Sequence, residues 1–331
     1  MGNCRERGRR FHEFPISKPA EPPRPSGRRA ILRARRVLGP SCPCKESVLN
    51  EGAWSLPSPW REARVAVVVP TYNEAGNLGE LADRVLALDL PNLRLIVADD
   101  DSPDGTGALA DDLAKRANEE RPGRMVVLHR KVKEGIGRAH IAGMQEALGR
   151  GDEYVVQMDG DLSHRPEYIP HLLGTILATR AGVVIGSRYV VGGSLSTQWG
   201  RHRRLLSRFA GLYVNTILHL SVRDPTGGFK IWHRDVLEGI DLNAVRSDGY
   251  SFQVEMNYRC KRLGRAIVEM PIHFEERNAG SSKISFAVQV ESMLRPFALR
   301  FGRQRPRDAR TGPDRRAASA GRRGGGREAR P

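Results

Sequence analysis

Short apolar runs and longer amphipathic stretches alternate from residue 65 to about residue 301. The runs at 65–69, 93–98, 125–128, 154–158, 183–186 and 267–274 are rich in β-branched residues and of strand length. The stretches at 77–88, 105–118, 137–148, 166–179, 203–220, 252–263 and 285–295 predict helices. Strands alternating with helices describe an α/β fold, with a mostly parallel central sheet and helices on both faces. In such sheets ligands collect beyond the carboxyl ends of the strands, so the residues following each run carry the functional expectation.

Composition divides the chain further. Lys and Arg number 54 against 38 Asp and Glu, a formal charge of +16. Residues 1–64 hold 14 basic and 6 acidic residues and residues 302–331 hold 10 and 3, which leaves the middle nearly balanced at 30 and 29. The first segment is rich in Arg, Pro and Ser, and the last in Arg, Gly and Ala. Neither has the apolar content to offset its own ordering entropy, so 1–64 and 302–331 are expected to be disordered tails around one domain at 65–301. No apolar run approaches the roughly 18 residues that span a bilayer, and the basic N-terminus lacks the apolar segment of a secretory signal. Cys4, Cys42, Cys44 and Cys260 are too few and too clustered for a disulfide framework, and read as reduced thiols in the cytoplasm. Gly2 is followed by Glu6 where a myristoylation signal has Ser or Thr.

The first run leads into Pro70-Thr71-Tyr72-Asn73-Glu74, an aromatic and a carboxylate suited to a nucleoside, or an ordinary turn before a helix. The second leads into Asp99-Asp100-Asp101-Ser102-Pro103-Asp104-Gly105-Thr106. There Asp100 is expected to meet a ribose and Asp104 to cap the next helix. The fourth ends in Asp159-Gly160-Asp161-Leu162-Ser163-His164, whose two carboxylates suit a hard divalent cation that keeps positions open for phosphate oxygens. Lys133-Glu134-Gly135-Ile136-Gly137-Arg138 lacks the third glycine of a dinucleotide loop and is read as a helix start near phosphate. Gly186-Ser187-Arg188-Tyr189 and the basic stretch Arg201-His202-Arg203-Arg204 offer forked contacts to phosphate. Arg277-Asn278-Ala279-Gly280-Ser281-Ser282-Lys283 is a flexible loop with a cation at each end, apt to close over a diphosphate.

Taken in order, these segments, together with Asp224 to Lys230 and Tyr250-Ser251-Phe252-Gln253, resemble the dolichol-phosphate (polyprenol-phosphate) mannosyltransferases of glycosyltransferase family 2 over residues 65 to about 297. The resemblance implies a GT-A fold, a GDP-mannose donor and a polyprenyl phosphate acceptor. It implies donor contacts from Pro70, Tyr72, Glu74, Ala98, Asp100, Asp159, Gly160, Asp161, Arg188, Arg277 and Lys283. It puts Mg2+ or Mn2+ on Asp159 and Asp161 with Ser163 near the third-ligand position, and acceptor phosphate at Arg203 and Ser207. Gly160 stands where the family usually has Ala, Asp101 where it has Asn, and Ser163 where some members have Gln.

The chemistry agrees with the residue types. A leaving diphosphate needs neutralising, and an acceptor phosphate is already anionic, so single-step displacement with inversion is expected and no strong general base is required. With no spanning helix, the basic tails, the helices at 203–220 and 285–301 or a membrane-spanning partner would hold the protein peripherally at the cytoplasmic face of a membrane. Three other readings compete. A polyprenyl-phosphate glucosyltransferase would use UDP-glucose; a nucleic-acid-binding protein would act through the basic tails, though the middle carries no reader motif; a non-catalytic scaffold would not need both carboxylates.

Overall fold

The computed structural model describes residues 55–196, 201–275 and 286–302, with backbone only at 201–207 and 286–293. The first strand, Val65–Thr71 (β1), is buried at every position, and its side chains alternate between two cores. Val65, Val67 and Val69 face one side, packed with Ala75–Leu86 (α1), Thr106–Glu120 (α2) and Ile169–Thr179 (α4). Ala66 and Val68 face the other, with Ile136–Gly149 (α3), Arg201–Leu218 (α5), Arg234–Gly239 (α6) and Gly249–Arg262 (α7). A period of two on a strand buried on both faces gives the two-sided layer. Each fully buried valine contributes on the order of 2 kcal/mol.

The remaining strands are Leu93–Asp99 (β2), Met125–His129 (β3), Tyr154–Gln157 (β4), Val183–Ser187 (β5), Ser194–Leu195 (β6), Lys230–His233 (β7), Ile267–Pro271 (β8) and His273–Phe274 (β9). Seven form one sheet in the order β3-β2-β1-β4-β7-β5-β8, and β6 pairs with β9 in a second. All pairings in the large sheet are parallel except those of β7, which runs antiparallel between β4 and β5. The ends of β1, β2 and β4 therefore lie side by side.

Several elements differ from expectation. β7 was not anticipated: it is four residues long and begins with a lysine, so its apolar signal is short. The run at 267–274 is two strands, because Ile272 turns into the core and donates its N–H to Ser187 O (3.1 Å) between them. The last helix, Phe286–Phe301 (α8), passes Pro296 instead of stopping at 295. It is held on both sides of the proline, by Arg295 on Ser247 Oγ (2.7 Å) and by Leu299 in the second core. Leu56 is buried in the first core and a 3-10 turn covers Trp60–Glu62, so the packed unit includes residues ahead of 65.

Candidate active site

Three adjacent strand ends build the first half of the site. After β1 the chain passes Pro70 and half-exposed Tyr72, and Asn73 takes a left-handed φ of 61°. The Glu74 N–H donates to Thr106 Oγ1 (2.9 Å), while its carboxylate accepts from Asn77 Nδ2 (2.8 Å). After Ala98 and Asp99 on β2, the Asp100 N–H donates to Thr71 O (3.1 Å). Asp99 accepts from Thr71 Oγ1, from the Ser102 N–H and from Ser102 Oγ (2.9, 3.0 and 2.6 Å), which fixes the loop. Asp104 accepts the N–H groups of Thr106 and Ala75 (3.0 and 3.1 Å), serving the starts of α2 and α1. Burial works against its charge, but those hydrogen bonds win and hold its carboxyl below the usual range.

Asp100 is different. Its buried Oδ1 pairs with Arg130, which directly follows β3 and whose N–H extends the sheet to Asp99 O (2.8 Å). Arg130 also donates to Glu134 (2.7 Å). Burial raises the Asp100 carboxyl above its usual range, against the pull of Arg130 and then of Lys133. Lys133 places its ammonium 3.4 Å from the centre of the Tyr72 ring.

The second half follows β4. Gly160 lies against β1: a Cβ there would meet Pro70 O at 3.3 Å and Glu74 Cγ at 3.6 Å, so this backbone closes directly on the first half. Asp161 is buried and its Oδ1 accepts the Ser163 N–H (3.1 Å) across Leu162, left-handed at φ 61°. Ser163 Oγ is buried and has no hydrogen-bond partner. The Asp159 N–H donates to His164 Nδ1 (3.2 Å), which leaves the proton of the neutral ring on Nε2. Burial lowers the pKa of His164, which stacks on Phe229 with ring centres 5.1 Å apart. Among the described residues, no three His, Cys, Asp or Glu side chains gather around a point that could hold a metal.

Arg188, after β5, forks onto Asp224 with Nε to Oδ2 and Nη2 to Oδ1, both 2.7 Å, and Nη2 also reaches Thr226 Oγ1 (3.1 Å). Both partners are buried, and Glu269 fixes the Asp224 N–H (2.8 Å). Burial disfavours the guanidinium, but Asp224 outweighs it and raises its pKa. Behind the site Lys230 is fully buried, donating to Gln253 Oε1 (2.9 Å), which also accepts from Gln157 Nε2 (2.8 Å). Buried His140, stacked on Phe252, has no partner on either ring nitrogen, and burial pushes it down to about 3.

One sequence expectation is corrected. At the start of α3 the Gly137 N–H is not open to phosphate: it donates to the Asp248 carboxylate (2.7 Å). Gly135, at φ 101°, admits that carboxylate, since a Cβ would lie 2.2 Å from Asp248 Oδ2. A carboxylate from the chain itself thus supplies the negative charge that this helix end favours. Pro70, Tyr72, Glu74, Ala98, Asp100, Asp159, Gly160 and Asp161 all fall at the edge formed by β1, β2 and β4. Arg203 and Ser207 lie on α5, where only backbone is described, and Arg277 and Lys283 lie outside the described residues. Sequence reading missed Asp224 as the partner of Arg188, and Arg130 and Lys133 beside Asp100 and Tyr72; nothing in the linear pattern joins those positions.

A mostly parallel sheet with helices on both faces and a carboxylate pair at its ligand edge is an open α/β architecture of the kind that binds ligands beyond its strand ends. The glycosyl transferase family 2 model matches residues 66–241, and the chain belongs to that family; it is a glycosyltransferase of GT-A fold. Polyprenol monophosphomannose synthase of Mycolicibacterium smegmatis is 42% identical over 74% of this chain and 91% of its own length. Undecaprenyl-phosphate mannosyltransferase of Micrococcus luteus is 43% identical over 70% of this chain and 91% of its own. Among solved structures, glucosyl-3-phosphoglycerate synthase of Mycobacterium tuberculosis with Mn2+ and UDP superposes with a TM-score of 0.55 at 19% identity, over 72% of this chain and 80% of that one. Mannosyl-3-phosphoglycerate synthase of Rubrobacter xylanophilus gives 0.54 at 20%, over 76% and 79%. These two likenesses concern the fold.

Proposed function

We propose that the protein transfers mannose from GDP-mannose to a polyprenyl phosphate, in one displacement with inversion, giving a β-linked polyprenyl phosphomannose. The observation that carries this reading is the pair of curated relatives, which share sugar and acceptor class and align over nearly their whole lengths. Tyr72, Glu74 and Asp100 would take the nucleoside, and Gly160 would let the donor approach the junction of β1 and β4.

Asp159, Asp161 and the partnerless Ser163 hydroxyl are an all-oxygen set that fits a hard divalent cation, Mg2+ or Mn2+. Bound there, such a cation supplies charge neutralisation for the leaving diphosphate. Arg188, its charge already paired with Asp224, would offer the N–H groups of Nη1, which take no part in that fork. Arg277 and Lys283 would close on the diphosphate or sugar, and Arg203 and Ser207, one turn apart on α5, would hold the acceptor phosphate.

No described helix is long and apolar enough to cross a membrane. Beyond the Arg203 turn, α5 exposes Phe209 and Leu212, and α8 exposes Leu294, Phe297 and Phe301, joined through the Tyr213–Phe297 ring contact at 6.2 Å. An apolar face beside a phosphate-binding turn suits a lipid acceptor presented at a membrane surface, with the protein peripheral on the cytoplasmic side.

The test is incubation of the purified full chain with GDP-mannose and a short polyprenyl phosphate, with and without EDTA, and with Asp161→Ala. A lipid-linked product with inverted anomeric configuration is expected, abolished by EDTA and by the substitution. UDP-glucose as the better donor, a retained configuration or full activity of Asp161→Ala would overturn the corresponding part.

A further inference from the structure

The residues that follow β1, β2 and β3 stand in a row, because those strands are neighbours and parallel. The first contributes Tyr72, an aromatic face; the second Asp100, a hydrogen-bond acceptor; the third contributes the cations Arg130 and Lys133. Two separate contacts bind that third segment to the other two. The Arg130 guanidinium pairs with Asp100 Oδ1, and the Lys133 ammonium lies 3.4 Å from the Tyr72 ring centre. Arg130 is tied a second time to Glu134, and the segment ends at Gly135, which the Asp248 clamp on α3 holds in place. Lys133 is thus anchored from both sides although its own side chain is exposed.

We propose that Lys133 is the base-reading residue of this site, donating from its ammonium to the acceptor edge of a purine held beside Tyr72, while Arg130 acts as a positioning residue that fixes the Asp100 carboxylate. The inference rests on the reading of the site as a nucleoside diphosphate pocket. Its chemistry is specific. Guanine offers two neighbouring acceptors, O6 and N7, that a lysine can meet, and on its other edge N–H donors that suit a carboxylate. Uracil has a single carbonyl oxygen where guanine has this pair, so a cation at this position favours the guanine nucleotide. Asp100 Oδ2 takes no part in the Arg130 pair and would be the oxygen left to accept from a ribose or base donor. Because the ammonium occupies one face of the Tyr72 ring, the purine would lie beside the ring's edge rather than stack on that face.

The experiment measures binding of GDP and of UDP to the full chain by calorimetry in the presence of Mg2+. It compares the unaltered protein, Lys133→Met, Lys133→Arg, Tyr72→Leu, and Lys131→Met as an exposed neighbouring control. Lys133→Met is expected to weaken GDP about tenfold or more and UDP about twofold or less, Lys133→Arg to restore most of the difference, and Lys131→Met to change neither. Tyr72→Leu, which removes the ring that seats the ammonium, is expected to weaken GDP more than UDP. Equal losses of GDP and UDP in Lys133→Met, or no loss of either, overturn the inference. A preference of the unaltered protein for UDP overturns the donor reading instead, so the two failures are told apart by which protein shows them.

Discussion

Lys230→Met tests how a buried cation is tolerated beneath the site. Lys230 opens β7, is inaccessible to solvent, and gives its ammonium to Gln253 Oε1 and to the Gln253 carbonyl (2.9 and 3.3 Å). Burial pushes its pKa down to about 7, with Asp224 only partly restoring it. The unfolded chain, where a lysine titrates near 10.4, therefore binds more protons than the folded one across this interval, and stability rises with pH from about 7 towards about 10. At about 1.36 kcal/mol per unit, the whole shift corresponds to several kcal/mol, of which roughly 1–2 kcal/mol falls between about pH 7 and about pH 8.5. Cys260 bounds the window from above. Burial raises its thiol to about 12, so the unfolded thiol ionises first above about 9 and subtracts stability there.

Methionine nearly matches lysine in volume, and Gln253 Oε1 keeps the Gln157 amide as donor, so that side-chain acceptor is not orphaned. Urea unfolding at both pH values should show the unaltered protein gaining roughly 1–2 kcal/mol and Lys230→Met gaining clearly less, with the variant the more stable at about pH 7. The same pH slope in both proteins, or a variant less stable at about pH 7, would refute the reasoning and make the ammonium a net contributor to the fold.

Two further outcomes follow from the same geometry. Arg188→Ala strands the buried Asp224 carboxylate and should cost about 3–5 kcal/mol in chemical unfolding, while Arg188→Lys, which cannot fork, should recover only part of it. Leu212→Asp combined with Phe297→Asp should lower binding to anionic phospholipid vesicles several-fold with thermal stability unchanged, because both side chains are exposed; undiminished flotation removes α5 and α8 from the membrane account.

The sheet was legible because β1, β2 and β5 are short, mostly aliphatic runs buried almost throughout, and no competing pattern interrupts them. β7 was not, since its first residue is a charged side chain whose place in the core depends on Gln253, 23 positions away. Arg188 was correctly singled out, but its main contact is Asp224, brought to it by the antiparallel pairing of β5 with β7. A strand absent from the expected order made that neighbour unreadable. The start of α3 failed for a related reason: the carboxylate that satisfies it lies 111 residues later.

The run Asp99-Asp100-Asp101-Ser102-Pro103-Asp104 shows why a local pattern can be right about chemistry yet blind to its division of labour. Four carboxylates in six positions offer four candidate ligands. Asp99 is spent on Thr71 and Ser102, and Asp104 on the starts of two helices. Asp101 takes a left-handed φ of 56°, as Asn73 does on the neighbouring loop, and the Asn73 N–H is held by Ser102 Oγ (3.1 Å). Each left-handed position outside glycine costs on the order of 1 kcal/mol or more and persists only where its surroundings over-determine it. The hydrogen bonds of Asp99 and Asp104 do so here, and they fix in advance the backbone that carries Tyr72, Glu74 and Asp100. A donor meeting these residues would have little of the loop left to order, so more of its contact energy would appear as affinity.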